Sequence, residues 1–108
     1  MPAAMSAPFV ERIRAAWKDA GRSGEPRLAC LAYYSTGSRV EEASMAYLRD
    51  YYGFAPAFAE QVAAGALRSD TAIRGAVAAF ADVGFSELYL VPTVAQLDQV
   101  DRLADLVL

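Results

Sequence analysis

Two short runs, Leu28 to Tyr34 and Leu88 to Val91, constrain this chain more than any other feature. Each is apolar at consecutive positions, so both alternating faces of a strand built from it are apolar. That is the pattern of strands in a parallel sheet covered by helices on both sides. Pro26 before and Gly37 after bound the first run, and Pro92 stops the second. Length and these flanking breakers favour strand over helix. Two parallel strands alone leave two open edges and enclose no core. The pattern therefore asks for neighbouring strands that the chain does not contain.

Helical spacing accounts for the rest. Ser6 reads as a cap with Pro8 in the opening turn, and Phe9, Ile13, Ala16, Trp17 and Ala20 share the face expected to be buried. Gly21 ends that helix, and Arg22 to Pro26 is a polar loop. Ser38 and Glu41 have capping-box spacing, which opens a second helix near Arg39. Its expected inner face is Val40, Ala43, Tyr47, Tyr51 and Phe54, widened by Met45, Leu48 and Tyr52. Gly53 and Pro56 break it, and a shorter helix runs from Pro56 to about Ala64 with Phe58 and Val62. Ser69 or Asp70 caps the next, with Ile73, Val77 and Phe80 inward and Gly84 closing it. Thr93 and Gln96 repeat the capping-box spacing before a last helix. There Leu97, Val100, Leu103, Ala104 and Val107 point inward, while Asp98, Asp101, Arg102 and Asp105 stay wet.

The order is helix, strand, three helices, strand, helix. Strands alternating with helices imply an α/β fold with parallel strands joined by a right-handed crossover. The crossover, from Ser35 to about Ser86, is far longer than the minimum. Extra helices of this kind extend loops at the carboxyl ends of strands, where barrel enzymes keep their sites.

Composition removes several functions. Among 108 residues the net charge is −3, and one Lys accompanies nine scattered Arg, which is no footprint for nucleic acid. There is no His, hence no Ser-His-Asp or Cys-His arrangement and no His-ligated zinc. The lone Cys30 lies in an apolar run and reads as a small buried hydrophobe in a reducing compartment. The N-terminus lacks the charged start and apolar core of a signal peptide, and no stretch is long enough to span a membrane. A cytoplasmic protein without nucleic-acid or membrane partners is expected.

Several stretches carry a family resemblance. Phe9 to Gly21 (FVERIRAAWKDAG), Tyr47 to Tyr52 (YLRDYY) and Phe85 to Leu108 resemble the end of luciferase-like monooxygenases, notably those using FMN or the deazaflavin coenzyme F420. The most telling segment, Gly84 to Ala104 (GFSELYLVPTVAQLDQVDRLA), looks like the family's final barrel strand and closing helix. By that resemblance residues 1–108 are the C-terminal segment of a (β/α)₈ TIM barrel. They would supply helix 6, strand 7, inserted helices, strand 8 and helix 8. The missing neighbours are then strands 1 to 6.

The family binds its flavin or F420 at the C-terminal mouth of the barrel, where the cofactor transfers hydride or activates oxygen. Many cofactor contacts, including those to phosphate, come from earlier strands. What this chain offers at the mouth is Tyr33, Tyr34, Ser35 and Thr36 after the first strand, and Pro92 and Thr93 after the second. The tyrosines either pack against an isoalloxazine ring or fill the core. Thr93 either donates to a ligand or caps the last helix. Tyr47, Tyr51, Tyr52, Phe54 and Phe58 either line a substrate pocket or pack between helices. No single residue stands out as catalytic, and no metal site is expected.

Two functions follow as expectations. One is a C-terminal fragment of a flavin- or F420-dependent luciferase-like oxidoreductase, incomplete without the complementary part of the barrel. The other is a non-enzymatic remnant that self-associates or binds a partner through open edges and apolar faces.

Overall fold

A computed structural model describes residues 2–108. Its elements follow the expected order: α1 (Ala3–Asp19), β1 (Ala29–Tyr34), α2 (Glu41–Tyr51), α3 (Pro56–Gly65), α4 (Asp70–Val83), β2 (Glu87–Pro92) and α5 (Asp98–Val107). The fold is mixed α/β, with five helices and a two-stranded parallel sheet. The register pairs Ala29 with Glu87 and ends with Tyr34 opposite Pro92. On its other edge β1 gains one further partner, a parallel bridge from Tyr34 to Leu67. Helix α1 packs on α4 and α4 on α5, while α2 and α3 form a second pair. The result is a slab of 49 × 35 × 20 Å.

Helix α4 follows its sequence signals closely. Ser69 Oγ accepts from the Ala72 amide at 3.1 Å, satisfying a first-turn donor. Gly84 ends the helix in the left-handed conformation, with φ 115°. Ile73 and Phe80 are buried as the spacing requires.

Helix α1 turns a different face inward, and α2 and α5 do so in part. In α1 the buried residues are Ala3, Ser6 and Val10, and the expected face is open, with Phe9 52% and Ile13 46% exposed. Ser6 is no cap, because the helix begins at Ala3 and the Ser6 hydroxyl donates to the Ala3 carbonyl within it. In α2 the buried line is Val40, Ser44 and Leu48, while Tyr47, Tyr51 and Phe54 are exposed. The Ser38–Glu41 capping box does not form. Arg39 adopts φ 59° and Val40 takes the cap position without a side-chain bond. In α5 Leu103, Ala104 and Val107 are half-buried and Asp98, Asp101, Arg102 and Asp105 exposed as expected, but the one buried residue is Gln99, and Leu97 and Val100 face solvent. Thr93 is likewise no cap: its hydroxyl turns into the sheet end, and the helix starts five residues later.

The strands also depart from two-sided burial. Ala29, Leu31 and Tyr33 share a sheet face with Glu87, Tyr89 and Val91. Midway along it Leu31 is 54% and Tyr89 51% exposed. The opposite face is closed at its carboxyl end by Tyr34, which is fully buried and donates to the Gln99 carbonyl of α5 at 3.0 Å. Among the described residues no helix is long and apolar enough to cross a membrane.

Candidate functional site

The carboxyl end of the sheet gathers most of the buried polar side chains: Ser35, Thr36, Ser44, Thr93 and Gln99. Backbone pairing explains the gathering. The Thr93 amide donates to the Tyr34 carbonyl at 2.9 Å, so the parallel register continues one residue past β2. On the other side Leu67 N donates to Tyr33 O and Ser35 N donates to Leu67 O, at 2.9 and 2.8 Å. Arg68, Ser35 and Thr93 therefore stand in one row across three neighbouring segments, on the same face.

Helix α2 lies over that row through Ser44. Arg68 Nε donates to Ser44 Oγ at 3.1 Å, Ser44 Oγ lies 2.6 Å from Thr93 Oγ1, and Thr93 Oγ1 lies 3.1 Å from Tyr34 O. The guanidinium can only donate and the carbonyl can only accept. One polarity satisfies all three contacts: Arg68 to Ser44, Ser44 to Thr93, Thr93 to the Tyr34 carbonyl. Two buried atoms in the row have no protein partner, Ser35 Oγ and Arg68 Nη2. Burial draws the Arg68 pKa below its ordinary value, as does the charge of Arg49, while Glu41 opposes the change.

Thr36 is held from behind. Its amide donates to Gln99 Oε1 and its carbonyl accepts from Gln99 Nε2, both at 2.9 Å, so the side chain of Gln99 completes a missing strand pairing. The Thr36 hydroxyl donates to Asp70 Oδ1 at 2.8 Å, tying the sheet end to the first turn of α4.

Beside the row lies a cavity of about 540 Å³ between β1, α3 and α4. Tyr33, Tyr52, Phe58, Val62, Ala76 and Phe80 are among its walls. The Tyr33 and Tyr52 hydroxyls are 2.7 Å apart, and the Tyr52 ring meets Phe58 edge to face at 5.3 Å. Burial, and then the bond to Tyr52, push the Tyr33 phenol well above its usual range. Burial alone raises Tyr34. Tyr33 and Tyr34 are therefore neutral at ordinary pH.

The six candidate residues of the sequence thus part company. Ser35, Thr36 and Thr93 converge at the sheet end, and Tyr33 lines the cavity. Tyr34 is enclosed on the opposite face, and Pro92 is exposed at the end of β2. Ser44, Arg68, Asp70 and Gln99 complete the cluster; none was expected as a site residue, and Asp70 was read only as a helix cap. Ser44 carried a signal, since it lies one turn from both Val40 and Leu48. Gln99 and Arg68 carried none. Among the described residues no group of His, Cys, Asp or Glu could hold a metal ion.

Comparison of the chain with protein-family models, curated proteins and solved structures gives no match.

Proposed function

We propose that the chain is the closing part of a luciferase-like (β/α)₈ barrel that uses FMN or coenzyme F420, with an incomplete site when alone. The observation that carries the reading is the parallel pair β1–β2, with one face bare except at its carboxyl end and a largely open second edge on β1. Leu31 and Tyr89 are exposed there, and beyond β1 the only strand-like partner among the described residues is Leu67. Further parallel strands would cover both features, as in a barrel.

The residues accommodate part of such a cofactor. The aromatic walls Tyr33, Tyr52 and Phe58 suit a flat ring, and a cavity of about 540 Å³ is of the size that small ligands occupy. When bound, the cofactor supplies the hydride or oxygen chemistry. This chain's share is to pack the ring, exclude water and offer, from the Tyr33–Tyr52 hydroxyl pair, the one proton not used between them. Thr36 and Thr93 are already committed to Asp70, Tyr34 and Ser44, so other segments must hold the remaining cofactor atoms.

A second reading is a self-associating or partner-binding remnant without catalysis, favoured by the exposed Phe9, Ile13, Leu31, Tyr89, Leu97 and Val100. Light scattering with FMN and F420 fluorescence titration separates the two. The chain alone should bind neither cofactor tightly. Mixing with a polypeptide carrying the first six strands of a family barrel should restore binding. Tight binding by a lone monomer would refute incompleteness. A stable dimer that never binds either cofactor, even after mixing, would favour the remnant.

A further inference from the structure

Only two of the nine arginines, Arg14 and Arg68, are withdrawn from full exposure. Arg14 has two carboxylates, Glu11 at 3.2 Å and Glu25 at 3.8 Å. Arg68 makes no ion pair among the described residues. Its nearest protein hydrogen-bond partner is the neutral hydroxyl of Ser44, and Nη2 is enclosed without an acceptor. Beside it in the same row, Ser35 is fully buried and its hydroxyl is equally without a partner. A buried guanidinium N–H and a buried hydroxyl are both expensive to leave unpaired, and the backbone register sets their residues side by side.

We propose that Arg68 and Ser35 form a binding site for a small oxyanion, the phosphate or carboxylate group of a ligand, under α2 at the carboxyl end of the sheet. Arg68 Nη2 and Ser35 Oγ are two donors on one face, and an anionic oxygen accepts from both where a neutral acceptor gains less. Ser44 fixes the guanidinium at Nε, so its planar fork is oriented in advance. Arg49 adds positive potential, although its own charge is engaged by Glu60. Glu41 draws on the same guanidinium from a distance and is the internal competitor. Arg68 is only half-buried as a residue, while Nη2 and the Ser35 hydroxyl are enclosed, so binding requires a local opening at the loop between Ser35 and α2. Gly37 and Arg39 in that loop both have positive φ. The site does not depend on the flavin reading, and its test contains no flavin.

The full chain is titrated with sodium phosphate and, separately, with sodium acetate, with ionic strength held constant by chloride. Thermal unfolding is followed together with the NMR resonance of the Arg68 Nε–H group. One or both anions should raise Tm saturably and shift that resonance with the same midpoint. Response to phosphate alone marks a phosphorylated ligand, to acetate alone a carboxylate, and to both a general oxyanion site. Arg68→Gln should abolish the effect, and Ser35→Ala should weaken the midpoint about tenfold. If Arg68→Gln does not fold, Ser35→Ala and the Arg68 resonance decide the matter. No change beyond that in chloride, or an undiminished response in Ser35→Ala, would overturn the proposal.

Discussion

The sheet face that carries Leu31 and Tyr89 has two ends built on opposite terms. At the carboxyl end α2 covers it, and Arg68, Ser44 and Thr93 are linked by hydrogen bonds running to a backbone carbonyl. Toward the middle and amino end no helix covers it, and Leu31 and Tyr89 stand half in water beside the ion pair of Arg27 and Glu87. The same strands supply both ends. The difference is whether a helix of the chain lies over the face: the covered end is where polar groups are organised, and the bare end leaves apolar residues exposed.

That contrast predicts a gradient of mutational cost. Gln99→Ala should be the most damaging change, because it strands the buried amide and carbonyl of Thr36. A loss of about 3 kcal/mol is expected in chemical denaturation. An unchanged midpoint would mean that the covered end is not organised as described. Thr93→Val keeps the shape but removes the link between Ser44 and the Tyr34 carbonyl, for a loss of about 1.5 kcal/mol in the same experiment. Gly84→Ala places a side chain at φ 115° and sets its Cβ against the Arg14 guanidinium, so about 1 kcal/mol should be lost. At the bare end, Leu31→Lys should change monomer stability by less than about 0.5 kcal/mol while reducing any concentration-dependent association seen by light scattering. A large destabilisation there would show that the face is covered after all.

The ion pair at the bare end gives the smallest effect and a definite sign. Arg27, with help from Tyr89, holds the Glu87 carboxyl down to about 2 from an ordinary 4.5. Its folded pKa is depressed, so the stabilisation is complete above about pH 4.5 and fades as pH falls toward 2. Both partners are accessible to water, and salt should diminish the contribution. The Tm gap between the parent chain and Arg27→Gln should therefore be small at pH 7 and close by about pH 2. A gap that widens in acid would contradict the assignment.

Much of the element list was legible in the sequence because local signals decide it. The two strands, the parallel connection and the limits of α4 follow from apolar runs, Ser69 and Gly84, each acting within a few residues. The inward face of α1 was not legible, and those of α2 and α5 were legible only in part. These helices carry apolar residues on more than one side, and periodicity cannot say which stripe meets a neighbour. Phe9 and Ile13 are as apolar as Val10, yet Val10 is the one that packs. The capping-box patterns at Ser38 and Thr93 were overridden for the same reason: a left-handed Arg39 and an inward hydroxyl at Thr93 met tertiary demands that no local pattern contains.

The candidate site shows the same division. Sequence alone put Ser35, Thr36 and Thr93 at strand ends, because strand limits are local. Only the tertiary structure brought Ser44, Arg68 and Gln99 to them from separate elements, since hydrogen bonds across the fold depend on register and helix rotation. What the sequence determined by itself is that this chain has two short strands apolar on both faces, joined in parallel through helices. What the tertiary structure decided is which end of their shared face is closed, because α2 can reach only the carboxyl end.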